Sequence, residues 1–286
     1  MYVVFGVTGN TGKVVADTLL SQKKAVRVVV RDAAKGAPWK AKGAEVAVAT
    51  VEDPASVEKA IKGADGAYLL LPPDYASKDN LGDKKRQIDS VAKALAGSGL
   101  KHLVLLSSIG AQHEDGTGPI KTLHDAEKRF AATGVPCTFL RAPYFMENFA
   151  SSLGPVNSDG VLYAMFEAKI PMIATKDIGA TAAKLLVEGP GKPSIVNLHG
   201  PAEYAPSDVA ATLGKILGKA VNVVLVPEAG RVGALTGAGL TEDLAKLFAE
   251  MNGAIAKGLM VWETTGVRDA KGTTGLEAVL RGLLGK

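Results

Sequence analysis

Met1-Tyr2-Val3-Val4-Phe5-Gly6-Val7-Thr8-Gly9-Asn10-Thr11-Gly12 opens the chain, and Val14, Val15, Ala16, Leu19 and Leu20 follow at helical spacing. A run of strand formers, a turn carrying glycines at 6, 9 and 12, and an amphipathic helix in direct succession predict the first strand, turn and helix of a dinucleotide-binding unit. The glycines leave side chains out where a tight turn must form and where backbone must approach a pyrophosphate. The N–H groups that open the helix then face the anion.

Working outward, the next runs repeat the pattern. Ala25–Val30 is a near-continuous β-branched stretch, as in strands buried on both faces of a parallel sheet. Glu45–Ala49 follows, then Asp53-Pro54, a cap residue and a proline placed to start a helix that runs to about Lys62. Ala67–Leu71 stops at Pro72-Pro73, a helix spans about Asn80 to Ala96, and His102–Leu106 makes a fifth strand. A helix over about Ile120 to Thr133 leads to a sixth at Cys137–Leu140. Six strands alternating with helices predict an α/β fold, a doubly wound parallel sheet of the Rossmann type.

The second half reads as a helix at 177–188, a strand at 194–198, a helix at 207–217, a strand at 221–226 and helical segments near 241–257 and 275–284. We expect residues 1–150 to form the dinucleotide-binding domain. Residues 151–286 would return one or two strands to the main sheet and build a smaller α+β lobe over its C-terminal edge, capping a substrate.

Composition narrows the function. The chain has 286 residues, 47% hydrophobic and 22% charged, with a net charge of +4 spread over 33 basic and 29 acidic side chains. No block of like charge marks a nucleic-acid arm or a membrane patch. The apolar start lacks a basic flank and no run of 18 apolar residues occurs, so neither signal peptide nor membrane span is expected. The one cysteine, Cys137, lies in an apolar run and suits a reducing cytoplasm. The four histidines, His102, His113, His124 and His199, lack ligand spacing, so no metal site is expected.

The tip of the second strand selects the cofactor. An acidic residue there would bond the adenosine ribose, whereas Arg31, 19 positions after Gly12, suits a 2'-phosphate, with Lys35 as a second cation. NADP(H) is therefore expected over NAD(H). The competing reading is a surface ion pair between Arg31 and Asp32.

Gly6–Gly12, Val28–Arg31, Leu69–Pro73, Ser107–Ala111 and Thr138–Asn148 together resemble the NmrA-like group of atypical short-chain dehydrogenase/reductases, and the similarity continues weakly through Asp177-Ile178 and His199-Gly200-Pro201. The resemblance implies a cofactor site in which Gly6, Thr8, Gly9, Asn10, Thr11 and Gly12 hold the pyrophosphate and Arg31 the 2'-phosphate. It puts Leu71 and Pro72 beside the ribose, Ser107 and Ser108 near the nicotinamide, and Ala142 to Phe145, Tyr144 among them, behind it. Where relatives often carry an Asp after the third strand, this chain has Ala49-Thr50-Val51, which leaves the adenine contact open.

The superfamily's Tyr-x-x-x-Lys pair is absent. Relatives often place a Lys or His four residues before a Glu in this helix. If that Glu is Glu127, Leu123 occupies the position and His124 sits one residue later, about 100° around the helix. His124 is the candidate proton donor, set against a capping or surface role. Tyr144, Phe145, Met146 and Asn148 are candidates for an aromatic substrate wall, set against core packing. Two functions remain open. One is an NADPH-dependent reductase passing hydride to a quinone-like or other conjugated small molecule, which needs no positioned acid. The other is a non-catalytic NADP(H)-sensing regulator.

Overall fold

The computed structural model describes residues 1–192 and 194–286. Its centre is an eight-stranded sheet ordered β3-β2-β1-β4-β5-β6-β10-β13, with β10 (Ile195–His199) and β13 (Val267–Lys271) from the second half, in which every neighbouring pair is parallel. The first six strands are β1 (Tyr2–Val4), β2 (Val26–Val30), β3 (Glu45–Val48), β4 (Gly66–Leu69), β5 (Leu103–Ser108) and β6 (Cys137–Ala142). Between them run α1 (Asn10–Ser21), α2 (Ala37–Ala41), α3 (Pro54–Ile61), α4 (Asn80–Leu95) and α5 (Lys121–Ala131). The chain builds outward from β1 through β2 to β3, then restarts on the other side of β1 with β4. That reversal makes the switch point at which open α/β sheets bind ligands, beyond the C-terminal ends of β1 and β4.

Period-two alternation divides the sheet's side chains between two apolar layers. Val3, Ala67, Leu69, Leu103 and Leu105 pack with Val57, Ile61, Ile88, Val91 and Phe130 of α3, α4 and α5. Val4, Tyr68 and Val104 pack on the other face with Val15, Leu19, Ile178, Ala182 and Leu185. The last three belong to α7 (Thr175–Glu188), so a helix of the second half covers the same face as α1. The two helices approach closely because of Gly179, where a Cβ would stand 2.5 Å from Val14 Cβ and 2.8 Å from Thr11 O. The expected start of α3 is present, with Asp53 Oδ1 and Oδ2 accepting from the N–H groups of Ala55 and Ser56 and Pro54 in the first turn.

The second half adds β7 (Tyr144–Phe145), α6 (Leu153–Asp159), β8 (Val161–Ala164), β9 (Ile170–Ile173), β10 (Ile195–His199), β11 (Glu203–Tyr204), α8 (Pro206–Leu217), β12 (Asn222–Leu225), α9 (Arg231–Gly237), α10 (Glu242–Ala256), β13 (Val267–Lys271) and α11 (Leu276–Leu283). Among the described residues of this half only β10 and β13 join the main sheet, while β12 pairs with β8 and β9 lies between β11 and β7. Met146, Phe149, Val156, Leu162, Met172, Val209, Leu213 and Leu280 form a third core. β13 was not expected from the sequence: Val-Arg-Asp-Ala-Lys is an edge strand with one neighbour and a mostly exposed polar face. Among the described residues no helix is long and apolar enough to cross a membrane.

Candidate functional site

The turn between β1 and α1 is built as its glycines require. Gly6 has φ +70° and lies against Leu70, whose Cδ2 would be 2.7 Å from an added Cβ. At Gly12 a Cβ would meet Gly6 O at 2.4 Å and Phe5 O at 2.7 Å, so the first turn of α1 presses on the end of β1. Gly9 differs: it is the extended N-cap of α1, and a Cβ there would meet only Gly6 O, at 3.4 Å. Thr8, Gly9 and Asn10 form an exposed crest. No side chain caps α1 and its first turn holds no acid, so the positive end of its dipole is left to solvent. Thr11 faces inward, its Oγ1 accepting from the buried Tyr68 hydroxyl at 2.9 Å.

Arg31 is exposed at the tip of β2. Among the described residues its side chain has no hydrogen-bond or ion-pair partner; Asp32 is occupied instead in accepting from Ala34 N at 2.9 Å, capping the following 3-10 turn. The expected alternative, an Arg31–Asp32 surface pair, is therefore not formed. Leu71 and Pro72 are half-buried beyond β4. The Pro72 carbonyl accepts from Lys84 Nζ, which also donates to Gln87 Oε1 at 3.0 Å, and Gln87 Nε2 donates to Glu52 Oε1 at 2.7 Å. Burial lowers the Lys84 pKa, partly opposed by Glu52, Asp74 and Asp83. This relay ties the end of β4 to the segment after β3, where Thr50 Oγ1 donates to Glu52. The sequence reading did not single out Lys84; a lysine among Ile88, Val91 and Leu95 at helical spacing on the buried face of α4 was the available signal.

The other half of the rim is organised around Arg141, on β6. Its Nε and Nη2 donate to Glu127 Oε1 and Oε2 at 3.0 and 2.7 Å, and its Nη1 donates to Glu263 Oε2 at 2.6 Å. Arg141 is 3% and Glu127 7% exposed, so the bidentate pair is out of water. Burial works against the guanidinium charge, but the hydrogen bonds and charges of Glu127 and Glu263 outweigh it and the Arg141 pKa is raised.

Ser107 Oγ donates to Glu127 Oε1 at 2.5 Å and Ser107 is 3% exposed, so its hydroxyl hydrogen is committed to Glu127. Ser108 is half-buried and donates to Ile109 O at 2.9 Å. Ala142 is buried at the end of β6. The sequence reading assigned no role to Arg141, although an arginine inside the apolar run Phe139-Leu140-Arg141-Ala142 calls for a buried counter-charge.

His124 Nδ1 donates to Ala111 O at 2.9 Å, and its Nε2 is buried without a partner. The ring is thus tied to the loop leaving β5, while Glu127, one turn on, is committed to Arg141. Tyr144 stacks against Phe149 and Phe166 with ring centroids 5.7 and 6.0 Å apart, and burial pushes its phenol up to about 12. Phe145 is half-buried against the α1–α7 layer, and Asn148 is exposed. Met146 is fully buried in the third core, which corrects its place in a substrate wall: its contacts are with the lobe's own side chains. Glu147 accepts from Thr175 N at 2.8 and 3.0 Å and from Thr175 Oγ1 at 2.6 Å, fastening this segment to the start of α7. Among the described residues no group of three or more His, Cys, Asp or Glu side chains is placed to hold a metal ion.

A doubly wound parallel sheet with an uncapped, glycine-bounded helix start at its switch point defines a dinucleotide-binding protein. The chain belongs to the NmrA-like family, which it matches over residues 2–264. It is 28% identical over 264 residues to quinone oxidoreductase 2 of Escherichia coli, covering 90% of this chain and 89% of that protein. It is 26% identical over 252 residues to an NAD(P)H azoreductase of Xenophilus azovorans, covering 88% and 86%. Among solved structures, the NADPH complex of the NADPH-dependent quinone oxidoreductase from Escherichia coli shares the fold, with a TM-score of 0.84, 24% identity and coverage of 99% and 100%.

Proposed function

We propose that the protein is an NADPH-dependent reductase of quinone-like or other conjugated small molecules. The observation that carries this reading is the exposed Thr8–Asn10 crest over an uncapped helix, with the unpartnered Arg31 at the next strand tip. The residues fit the cofactor. The crest leaves room at Gly9 for a pyrophosphate against the N–H groups of α1, and Arg31 offers a free fork of donors to a 2'-phosphate. Leu71, Pro72, Ser108 and Ala142 would line the course of the cofactor along the rim, with Tyr144 and Phe145 as the apolar wall against which an aromatic acceptor packs and Asn148 at its edge. Thr11 and Ser107 support this surface from beneath. Residues 1–150 would carry the cofactor and the later lobe would exclude water, in a protein acting in the cytoplasm without a nucleic-acid partner.

NADPH supplies the hydride when bound; the chain's contribution is orientation and a dry pocket. The proton is a separate matter. Ser107 is bonded to Glu127, the Tyr144 ring is packed against Phe149 and Phe166, and His124 is tied to Ala111. None is set to protonate a basic alkoxide. A reduced quinone delocalises its charge and takes its proton from solvent, which fits a conjugated acceptor better than a simple ketone. The two relatives are named as reductases of this kind. The test is NADPH oxidation with a panel of quinones: acceptor-dependent turnover is expected. Tight cofactor binding without turnover would leave the sensing reading in its place.

A further inference from the structure

Arg231, the first residue of α9, is 7% exposed, and its Nε and Nη1 atoms are buried with no hydrogen-bond partner. Among the described residues it forms no ion pair. A guanidinium stays charged at every pH at which proteins fold and presents a planar fork of donors. Burying it alone is strongly unfavourable unless an anion comes to it.

The structure provides space for one. Arg231 lines a cavity of about 440 Å³ between α9, α10 and Gly116 of the loop that leaves β5. Across from it, Gly253 presents no side chain; a Cβ there would sit 3.7 Å from Arg231 Nη1. Lys257 adds a second positive group, and Ala254 and Leu259 supply apolar wall. Glu228 and Glu250 also line the cavity, neither paired with Arg231, and Glu250 Oε2 stands 4.0 Å from Lys121 Nζ. Two carboxylates nearby repel a multiply charged anion such as phosphate more than a singly charged one. The volume lies in the range that holds small ligands, and apolar wall beside a few placed charged groups is what such sites contain.

We propose that this cavity is a second ligand site, distinct from the dinucleotide groove, which takes a small organic monocarboxylate with an apolar or aromatic body, its carboxylate held in the fork of Arg231. The proposal stands whether or not the protein is a reductase.

Calorimetric titration of the NADPH-saturated protein with benzoate, benzamide and inorganic phosphate tests it. Benzoate should bind with a Kd on the order of 0.1–1 mM, as its size allows, and at least about tenfold more tightly than benzamide or phosphate. Arg231→Met should abolish benzoate binding, keep NADPH binding, and melt no lower than the parent in benzoate-free buffer, because it removes an unpaired buried charge. Gly253→Leu, which keeps the charge and fills the space before it, should weaken benzoate binding about tenfold or more. In the turnover assay, benzoate that competes with the quinone marks the head group of an acidic acceptor, and benzoate that leaves the quinone KM unchanged marks an effector; both are anion sites. No binding of benzoate, equal binding of benzamide, unchanged affinity in Arg231→Met or Gly253→Leu, or a lower melting temperature of Arg231→Met in benzoate-free buffer would overturn the proposal.

Discussion

Over β1 and β2 the rim of the sheet presents groups that the chain itself leaves unbound: the crest at Thr8–Asn10, the open start of α1, and Arg31. Over β5 and β6, equally close to the C-terminal edge, Ser107, Glu127, Arg141 and Glu263 bind one another and leave little for a ligand. The two halves carry polar residues of comparable kind. What separates them is whether a buried charge lies within reach: Arg141 draws in the carboxylates of Glu127 and Glu263 and, through Glu127, the Ser107 hydroxyl. One half is a surface for binding and the other a brace that holds β5, β6 and α5 together.

The brace predicts the largest effect. Arg141→Met leaves the Glu127 carboxylate buried beside Ser107 alone and should destabilise the protein by about 3–5 kcal/mol in urea unfolding. Adding Glu127→Leu should recover most of that loss, because the stranded charge goes too. A single variant within about 1 kcal/mol of the parent would mean that the cluster is not what holds this half.

The open half predicts losses of binding without loss of fold. Gly9→Val should reduce NADPH affinity by about 100-fold or more while the melting temperature holds, since a Cβ at Gly9 meets only Gly6 O at 3.4 Å and the backbone there is extended. Gly12→Val cannot serve as the same test. Its Cβ would meet backbone at 2.4 Å, so the fold itself should suffer. A folded Gly9→Val protein with unchanged NADPH affinity would remove the crest from the site.

A smaller change is expected at Arg31. Arg31→Ala should narrow the preference for NADPH over NADH by about tenfold or more, the equivalent of losing one charge-assisted contact of roughly 1.5–3 kcal/mol. Equal affinities for the two cofactors in the parent protein would refute the assignment.

How far the sequence could be read follows the same division. The alternation of strands with helices and the β1–α1 turn were legible because they are written in local pattern: apolar runs, glycines at fixed spacing, Asp53-Pro54 at a helix start. Arg31 was legible because its availability depends on its own strand tip. The Ser107–Glu127 hydrogen bond was not legible because the partners lie 20 residues apart on different elements, and spacing along the chain does not reveal such a pairing. Met146 stayed open between substrate wall and core packing for a related reason: an apolar residue beside Tyr144 and Phe145 looks the same in sequence whether it faces a ligand or the lobe's core. β13 escaped because an edge strand with alternating charges carries no buried run. Arg231 showed nothing in sequence, since its interest lies wholly in the absence of a partner.

The smallest effect belongs to His124, on α5 beside the loop that leaves β5, where it decides whether the brace side contributes chemistry at all. Its Nδ1 must carry a hydrogen, because Ala111 O, at 2.9 Å, can only accept. To act as an acid the ring would need a second proton on Nε2, which is buried and faces no acceptor among the described residues. A positioned general acid is worth about 10²–10⁴-fold in rate. A conjugated acceptor protonated by water has no use for one. His124→Ala should therefore change kcat with a quinone by less than about threefold and keep NADPH affinity. The lost hydrogen bond to the β5–α5 loop should cost about 1 kcal/mol of stability, visible as a small drop in melting temperature. A kcat loss of 10² or more in a variant that still binds NADPH normally would make His124 the proton donor and give the rim over β5 and β6 a part in the chemistry as well as in lining the cofactor.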